Sequence, residues 1–208
     1  MKYNKDILGL FPTPLGVYEI DKELSENEIN FFKKEQNNST KNIGNYISKN
    51  KYILNNKEMQ NLKIILENCL NDFYLSVFCP KYESKLYITQ SWLNFTQENE
   101  YHHYHNHSNS FLSGVFYISS DPKIDNIILS KNGLLNSDIF NIETENFNEF
   151  NSKSYTFPTK SKTLIIFPSK VSHEVLNKKS NNLRISMAFN SFLKGKIGEN
   201  ENLTELIL

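Results

Sequence analysis

The hydrophobic pattern of this chain changes period at Pro80, and that change limits the fold more than any other feature of the sequence. Before it, apolar residues recur at Met59, Leu62, Ile65, Leu66, Leu70, Phe73 and Leu75, close to a helical period. The spacing predicts a helix over 56–78, ended by Pro80, which cannot continue one. After it, the apolar residues come in short runs with many aromatic and β-branched side chains: 86–96, 111–119, 126–130, 154–157, 163–167, 173–176 and 183–192. Turn formers separate these runs, at Asp121-Pro122, Asn132-Gly133, Pro158, Pro168-Ser169 and 180–182. Upstream of the helix, Leu15, Val17 and Ile20 predict a strand, and Asp21 or Ser25 can cap a first helix over 26–34. The polar stretches 35–50 and 137–153 read as loops. Two leading helices and then many strands predict a mainly β (α+β) fold, with helices packed on an all-β barrel or double-sheet jelly roll. Alternation along 86–96 would put Leu86, Ile88, Gln90, Trp92 and Asn94 on one face.

The length of 208 residues suits a single domain, 1–208, with a helical part over about 1–80 and a β core over about 84–193. A chain of this size buries roughly 70% of its unfolded surface. Lys+Arg and Asp+Glu number 23 each, so the net charge is zero and gives no reason to expect nucleic acid or an anionic membrane as partner. Cys69 and Cys79 lack metal-site or redox spacing and read as buried thiols in a reducing compartment. Pro12 and Pro14 interrupt the apolar patch near the N-terminus. No apolar run reaches the roughly 18–20 residues of a membrane span, so the expectation is a cytoplasmic protein.

All five histidines fall in two places. Four lie in His102-His103-Tyr104-His105-Asn106-His107, and His173 stands alone. In an extended segment, residues i and i+2 point the same way, so His103, His105 and His107 would share a face. Two imidazoles at that spacing can grip one ion, and His173 is the remaining histidine able to complete a triad. Imidazole suits iron, zinc, copper and nickel alike, so the ligand type does not name the metal. A histidine-rich tract can also bind metal adventitiously.

The surroundings narrow this. Ser91-Trp92-Leu93-Asn94, His105-Asn106-His107 and Ser113-Gly114-Val115-Phe116-Tyr117 follow one another in order. Phe167-Pro168-Ser169, His173-Glu174-Val175, Asn177 and Arg184-Ile185-Ser186-Met187-Ala188-Phe189-Asn190 come after them, and Leu10-Phe11-Pro12-Thr13-Pro14 precedes them. Together they resemble a bacterial and phage branch of the 2-oxoglutarate/Fe(II) oxygenase superfamily, over nearly the whole chain. The resemblance implies a double-stranded β-helix (a cupin-like jelly roll) with helices on one side. It implies Fe(II) held by His105, His107 and His173, with 2-oxoglutarate as co-substrate. It implies a dioxygenase that hydroxylates an organic substrate with dioxygen, releasing succinate and CO2. The superfamily carries a basic residue after its last histidine to grip the far carboxylate of 2-oxoglutarate. Arg184 stands eleven residues after His173, and its planar cationic fork matches a carboxylate.

On a strand, Arg184, Ser186 and Ala188 share a face, so Ser186 can add a hydroxyl to that grip. Asn94 and Tyr117 are candidates to line the pocket, with ordinary strand packing as the alternative. Trp92 reads as core, Gln90 as a weaker pocket candidate, and Gly114 as a point of close approach inside the barrel. One departure stands out. Most of the superfamily places Asp or Glu where this chain has His107, so a three-imidazole site is one unit more positive. Three alternatives therefore stand beside the oxygenase reading. They are a three-histidine cupin-like enzyme that does not use 2-oxoglutarate, a non-catalytic metal-binding jelly roll, and a closed zinc site that includes His103.

Overall fold

The computed structural model describes residues 3–131 and 143–208. Helix α1 (Glu26–Asn37) begins where its local chemistry dictates. Ser25 accepts a hydrogen bond from the Glu28 N–H, and the Glu28 carboxylate accepts one from the Ser25 N–H at 2.7 Å. Such a reciprocal cap is worth about 1 kcal/mol. Lys22 joins it, with its ammonium 2.6 Å from Glu28. Helix α2 (Gln60–Phe78) follows two short 3-10 turns, Ile53–Asn55 and Lys57–Met59, and ends at Cys79, which adopts a left-handed conformation just before Pro80. Its buried stripe is Leu62, Leu66, Leu70, Phe73 and Tyr74. Leu75, expected on that stripe, is exposed, and Tyr74 takes the position with its hydroxyl 2.7 Å from Ser84.

The strands form two antiparallel sheets. The larger runs β1 (Gly16–Glu19), β9 (Thr163–Pro168), β6 (Leu112–Ser119), β11 (Arg184–Ile197), β4 (Ser84–Thr96), β3 (Tyr46–Ile47) and β2 (Thr40–Lys41). A short β12 (Leu206–Ile207) pairs with the far end of β11. The smaller sheet runs β5 (His102–His105), β10 (Ser172–Val175), β7 (Asn126–Ser130) and β8 (Ser154–Pro158). This is the expected double-stranded β-helix with its helices on the outer face of one sheet.

The two apolar clusters show why β6, β9 and β11 carry near-continuous apolar runs: both of their faces are covered. On one face Leu112, Phe116, Leu164, Ile166, Met187 and Phe189 pack with Leu62, Leu66, Leu70 and Phe73 of α2 in the larger core. On the other face Val115, Tyr117, Ile165, Phe167 and Ala188 meet Ile127 and Leu129 of the smaller sheet. Each fully buried side chain of this size stabilises the fold by about 1.5–3 kcal/mol relative to exposure. Gly114 is needed here, because a Cβ on it would sit 2.2 Å from the ring of Phe189, its cross-strand partner. The close approach expected there is thus made by an aromatic ring.

Several expectations need correction. The stretch 35–50 is more than a loop: β2 and β3 form a small hairpin that extends the large sheet beyond β4, with Asn45 and Ser48 buried. Alternation along β4 is broken by a bulge. Asn190 pairs with Gln90 but Ser191 pairs with Ile88, so Thr89 is an extra residue and the phase flips. Leu86 and Ile88 therefore share the helix-side core with Leu93 and Phe95, while Trp92 packs against the inner cluster and Gln90 is exposed. Cys69 is half-buried and Cys79 is exposed, and both are free thiols. The predicted Asn132-Gly133 turn and the first part of the 137–153 loop lie outside the described residues, and 143–153 contains no helix or strand. No described helix is long and apolar enough to cross a membrane.

Candidate metal centre

His105 and His173 face each other directly across the β5–β10 ladder, with ring centroids 4.3 Å apart. His107 lies just beyond the end of β5, where its backbone N–H donates to the Ser169 carbonyl at 3.0 Å. That bond folds its ring back to 5.2 Å from His105 and 5.1 Å from His173. One nitrogen from each of the three rings lies within 4.8 Å of the others. The rings of Phe167 and Trp92 pack on this group, with centroids 5.0 Å from His173 and 5.6 Å from His107.

The outward nitrogen of each ring is occupied. His105 Nδ1 is 2.7 Å from the His103 carbonyl and His173 Nδ1 is 3.2 Å from the Val171 carbonyl. A carbonyl can only accept, so both rings carry their proton on Nδ1 and keep the Nε2 lone pair free. His107 Nδ1 is 2.8 Å from the Ser113 hydroxyl. Burial, reinforced by the neighbouring imidazoles, pushes the His173 ring down to about 3 and the His107 ring down to about 4. Burial lowers His105 as well. Neutral imidazoles with one free nitrogen are the form that binds a metal. Neither group of potential ligands around an ion-sized point contains a carboxylate among the described residues.

The second such group is His102, His103 and His105. Its existence follows from a bulge that the sequence does not announce. His173 pairs with His105 but Val175 pairs with His102, so β5 spends three residues where β10 spends two. His102, rather than the expected His103, consequently joins His105 and His107 on the cavity wall. Its ring stacks on His105 at 4.8 Å, and burial with its neighbours' charges pushes it down to about 2. His102 is the site residue that sequence reasoning missed, because period-2 alternation excludes it.

Beside the triad is a cavity of about 30 Å³, with Arg184, Ser186, Ala188, Asn94 and Trp92 on the large-sheet side. Arg184, Ser186 and Asn94 are almost fully buried. The Arg184 guanidinium lies 5.2 Å from the centre of the Tyr117 ring and has no ion-pair partner among the described residues. Tyr117 is fully buried behind it and does not border the cavity, and burial pushes its phenol up to about 12. Trp92, expected in the core, borders the cavity.

Six buried side-chain polar atoms lack a hydrogen-bond partner among the described residues. Five of them are Asn94 Oδ1, Thr96 Oγ1, His103 Nδ1, Tyr117 Oη and Arg184 Nε, all on the strands that build this site. A buried polar atom without a partner costs about 1–3 kcal/mol, so such a cluster is the mark of a place built for a polar ligand. A metal ion fits the converging Nε2 atoms, and a carboxylate fits the orphaned guanidinium.

Comparison with known proteins agrees with this geometry. The family model described as Putative 2OG-Fe(II) oxygenase matches residues 90–190. No curated protein matches the sequence. Among solved structures, the fold is similar to a Pseudomonas putida prolyl-4-hydroxylase at 11% identity and a TM-score of 0.55, covering 86% of this chain and 92% of that one. It is also similar to HygX from Streptomyces hygroscopicus with nickel and 2-oxoglutarate bound, at 12% identity and a TM-score of 0.57, covering 86% and 82%. A 2OG-Fe(II) oxygenase family oxidoreductase from Burkholderia pseudomallei matches at 12% identity and a TM-score of 0.52, covering 80% and 78%. At such identities the structures speak for the fold, and the matched segment, which holds all five histidines and Arg184, speaks for the family. Over residues 90–190 the sequence is similar to the 2OG-Fe(II) oxygenase family.

Proposed function

We propose that this protein is a 2-oxoglutarate- and Fe(II)-dependent dioxygenase that hydroxylates an organic substrate, with His105, His107 and His173 as the iron ligands. The observation that carries the reading is three neutral imidazoles converging beside a buried arginine that has no acidic partner. The HygX structure, which holds nickel and 2-oxoglutarate on a similar fold, supports the same pairing of metal and co-substrate.

The chain's own residues have separable tasks. The three Nε2 atoms would hold the metal. Arg184 binds the far carboxylate of 2-oxoglutarate, and the Ser186 hydroxyl and Asn94 amide, on neighbouring strands of the same face, orient it. Tyr117 backs the guanidinium and limits its movement. Val115, Ile127 and Ala188 give the cavity an apolar lining that excludes water. When bound, Fe(II) with 2-oxoglutarate and dioxygen supplies the oxidation, in which the oxo acid becomes succinate and CO2 and one oxygen atom goes to a substrate C–H bond. At about 30 Å³ the cavity has room for an ion beside the three imidazoles. Trp92 and His102 border it half-buried, whereas Arg184 and Ser186 are almost fully buried.

The test is succinate release from 2-oxoglutarate in air with Fe(II), together with Fe(II)-dependent binding of 2-oxoglutarate. Absence of both removes the enzyme. His173→Ala should abolish metal-dependent binding. A second reading, a zinc site, is favoured by the His102, His103 and His105 group. It requires stoichiometric zinc in protein purified without added iron, and loss of that zinc in His103→Ala.

A further inference from the structure

An imidazole ligates a metal through Nε2 only when its proton sits on Nδ1. Backbone carbonyls enforce this at His105 and His173. His107 Nδ1 instead faces a hydroxyl, which can donate or accept, with the Asn190 side chain as the ring's other polar neighbour.

The atoms behind Ser113 decide the direction. Ser110 Oγ donates to the Leu112 carbonyl at 3.1 Å, with the Ser191 carbonyl at 3.3 Å as the other acceptor. Ser169 Oγ donates to Ser110 Oγ at 2.7 Å. Each hydroxyl has one proton, so both of those protons are committed away from His107. Ser113 Oγ lies 2.8 Å from Ser169 Oγ and 3.2 Å from Asn190 Oδ1. Its proton goes to one of these, which leaves a lone pair facing His107 Nδ1. The proton at that contact must then come from the ring. Ser113 and Ser169 are buried, so no bulk water offers a substitute acceptor.

We infer that Ser113 is a positioning residue that fixes the metal-binding tautomer of His107, acting as the first link of a one-way hydroxyl chain through Ser169 and Ser110. The inference rests on the reading of His107 as a ligand. The chain performs for an imidazole at this position what the two carbonyls perform for its partners, and it holds the ring by a side chain that mutation can remove. Loss of a partner of this kind lowers metal affinity about 10–100-fold.

The experiment uses the full chain in three measurements. Long-range proton–nitrogen correlation spectra of the metal-free, ¹⁵N-labelled protein report which ring nitrogen of His107 is protonated, with His107→Ala assigning the signal. Calorimetric titration with Ni(II) gives affinity, and thermal melting reports folding. The wild type should show the Nδ1–H form of His107. Ser113→Ala should shift the ring toward Nε2–H and weaken Ni(II) about 10–100-fold while remaining folded. Ser169→Ala leaves Asn190 to take the Ser113 proton, so its affinity should change less than about threefold. An Nε2–H ring in the wild type overturns the inference even if Ser113→Ala fails to fold. So does a folded Ser113→Ala protein that binds Ni(II) as tightly as the wild type. If His107→Ala also binds Ni(II) normally, the ligand assignment itself is wrong. If only His107→Ala loses the ion, the serine chain alone is refuted.

Discussion

Replacing Arg184 by Met should make the metal-free protein more stable while destroying its grip on 2-oxoglutarate. Arg184 is 3% exposed, has no ion-pair partner among the described residues, and leaves Nε without an acceptor. An unpaired buried charge carries a penalty of several kcal/mol even after relaxation. The Tyr117 ring, 5.2 Å away, returns about 0.5–2 kcal/mol through the cation–π attraction. Methionine fills similar volume without the charge, so a net gain of about 1–3 kcal/mol is expected. In a chain of this size each kcal/mol moves the melting temperature by about 2–4 °C, which predicts a rise of roughly 2–12 °C. Binding should respond in the opposite direction. Truncating one side of a buried charge pair costs about 2–5 kcal/mol, or roughly 30- to 5,000-fold in the dissociation constant for 2-oxoglutarate. Differential scanning calorimetry of the metal-free protein and titration of the Ni(II)-loaded protein with 2-oxoglutarate read the two effects. A metal-free variant that melts lower than the wild type would refute the reasoning, since the guanidinium would then be holding the fold rather than waiting for a ligand.

Three further outcomes are expected. Lys178 and Asp125 form a buried pair at 3.7 Å, so Lys178→Met alone should destabilise by about 3–5 kcal/mol in urea unfolding, and adding Asp125→Asn should recover part of the loss. Gly114→Ala forces a Cβ against the fully buried Phe189 ring and should cost about 1–3 kcal/mol, relieved by a second change, Phe189→Leu. The buried rings of His107 and His173 titrate far below the ordinary histidine value, so the unfolded chain takes up protons first as pH falls. The metal-free protein should therefore hold full stability above about pH 6.5 and lose about 1.4 kcal/mol per pH unit for each such ring on acidification toward pH 4. Melting temperatures that stay flat between pH 7 and 5 would contradict this.

Much of this protein is legible along the chain because its signals are local. The start of α1 is legible to within Asp21 or Ser25, between which the structure selects Ser25 with its reciprocal bond to Glu28, and Pro80 announces the end of α2. The strand runs after Pro80 appear close to where they were expected, because aromatic and β-branched residues favour a pleated surface wherever it is buried. The exposed Leu75 and the buried Tyr74 show the limit of a helical period. It gives the direction of the apolar stripe but not which large residue finds room at its edge.

Residue identity and spacing along the chain supply the set of chemical groups: three histidines able to converge, an arginine eleven residues beyond the last, and a polar face of Ser186 and Asn94. Tertiary structure alone decided which neighbours face that set. Extra residues at Thr89 in β4 and between His102 and His105 in β5 turn Trp92 and His102 inward and leave Gln90 outside. A bulge depends on how two distant strands pair, and a rule of strict alternation within one strand carries no term for the partner's register. The serine chain behind His107 is decided in the same way, since Ser110, Ser113 and Ser169 meet only after the sheets close.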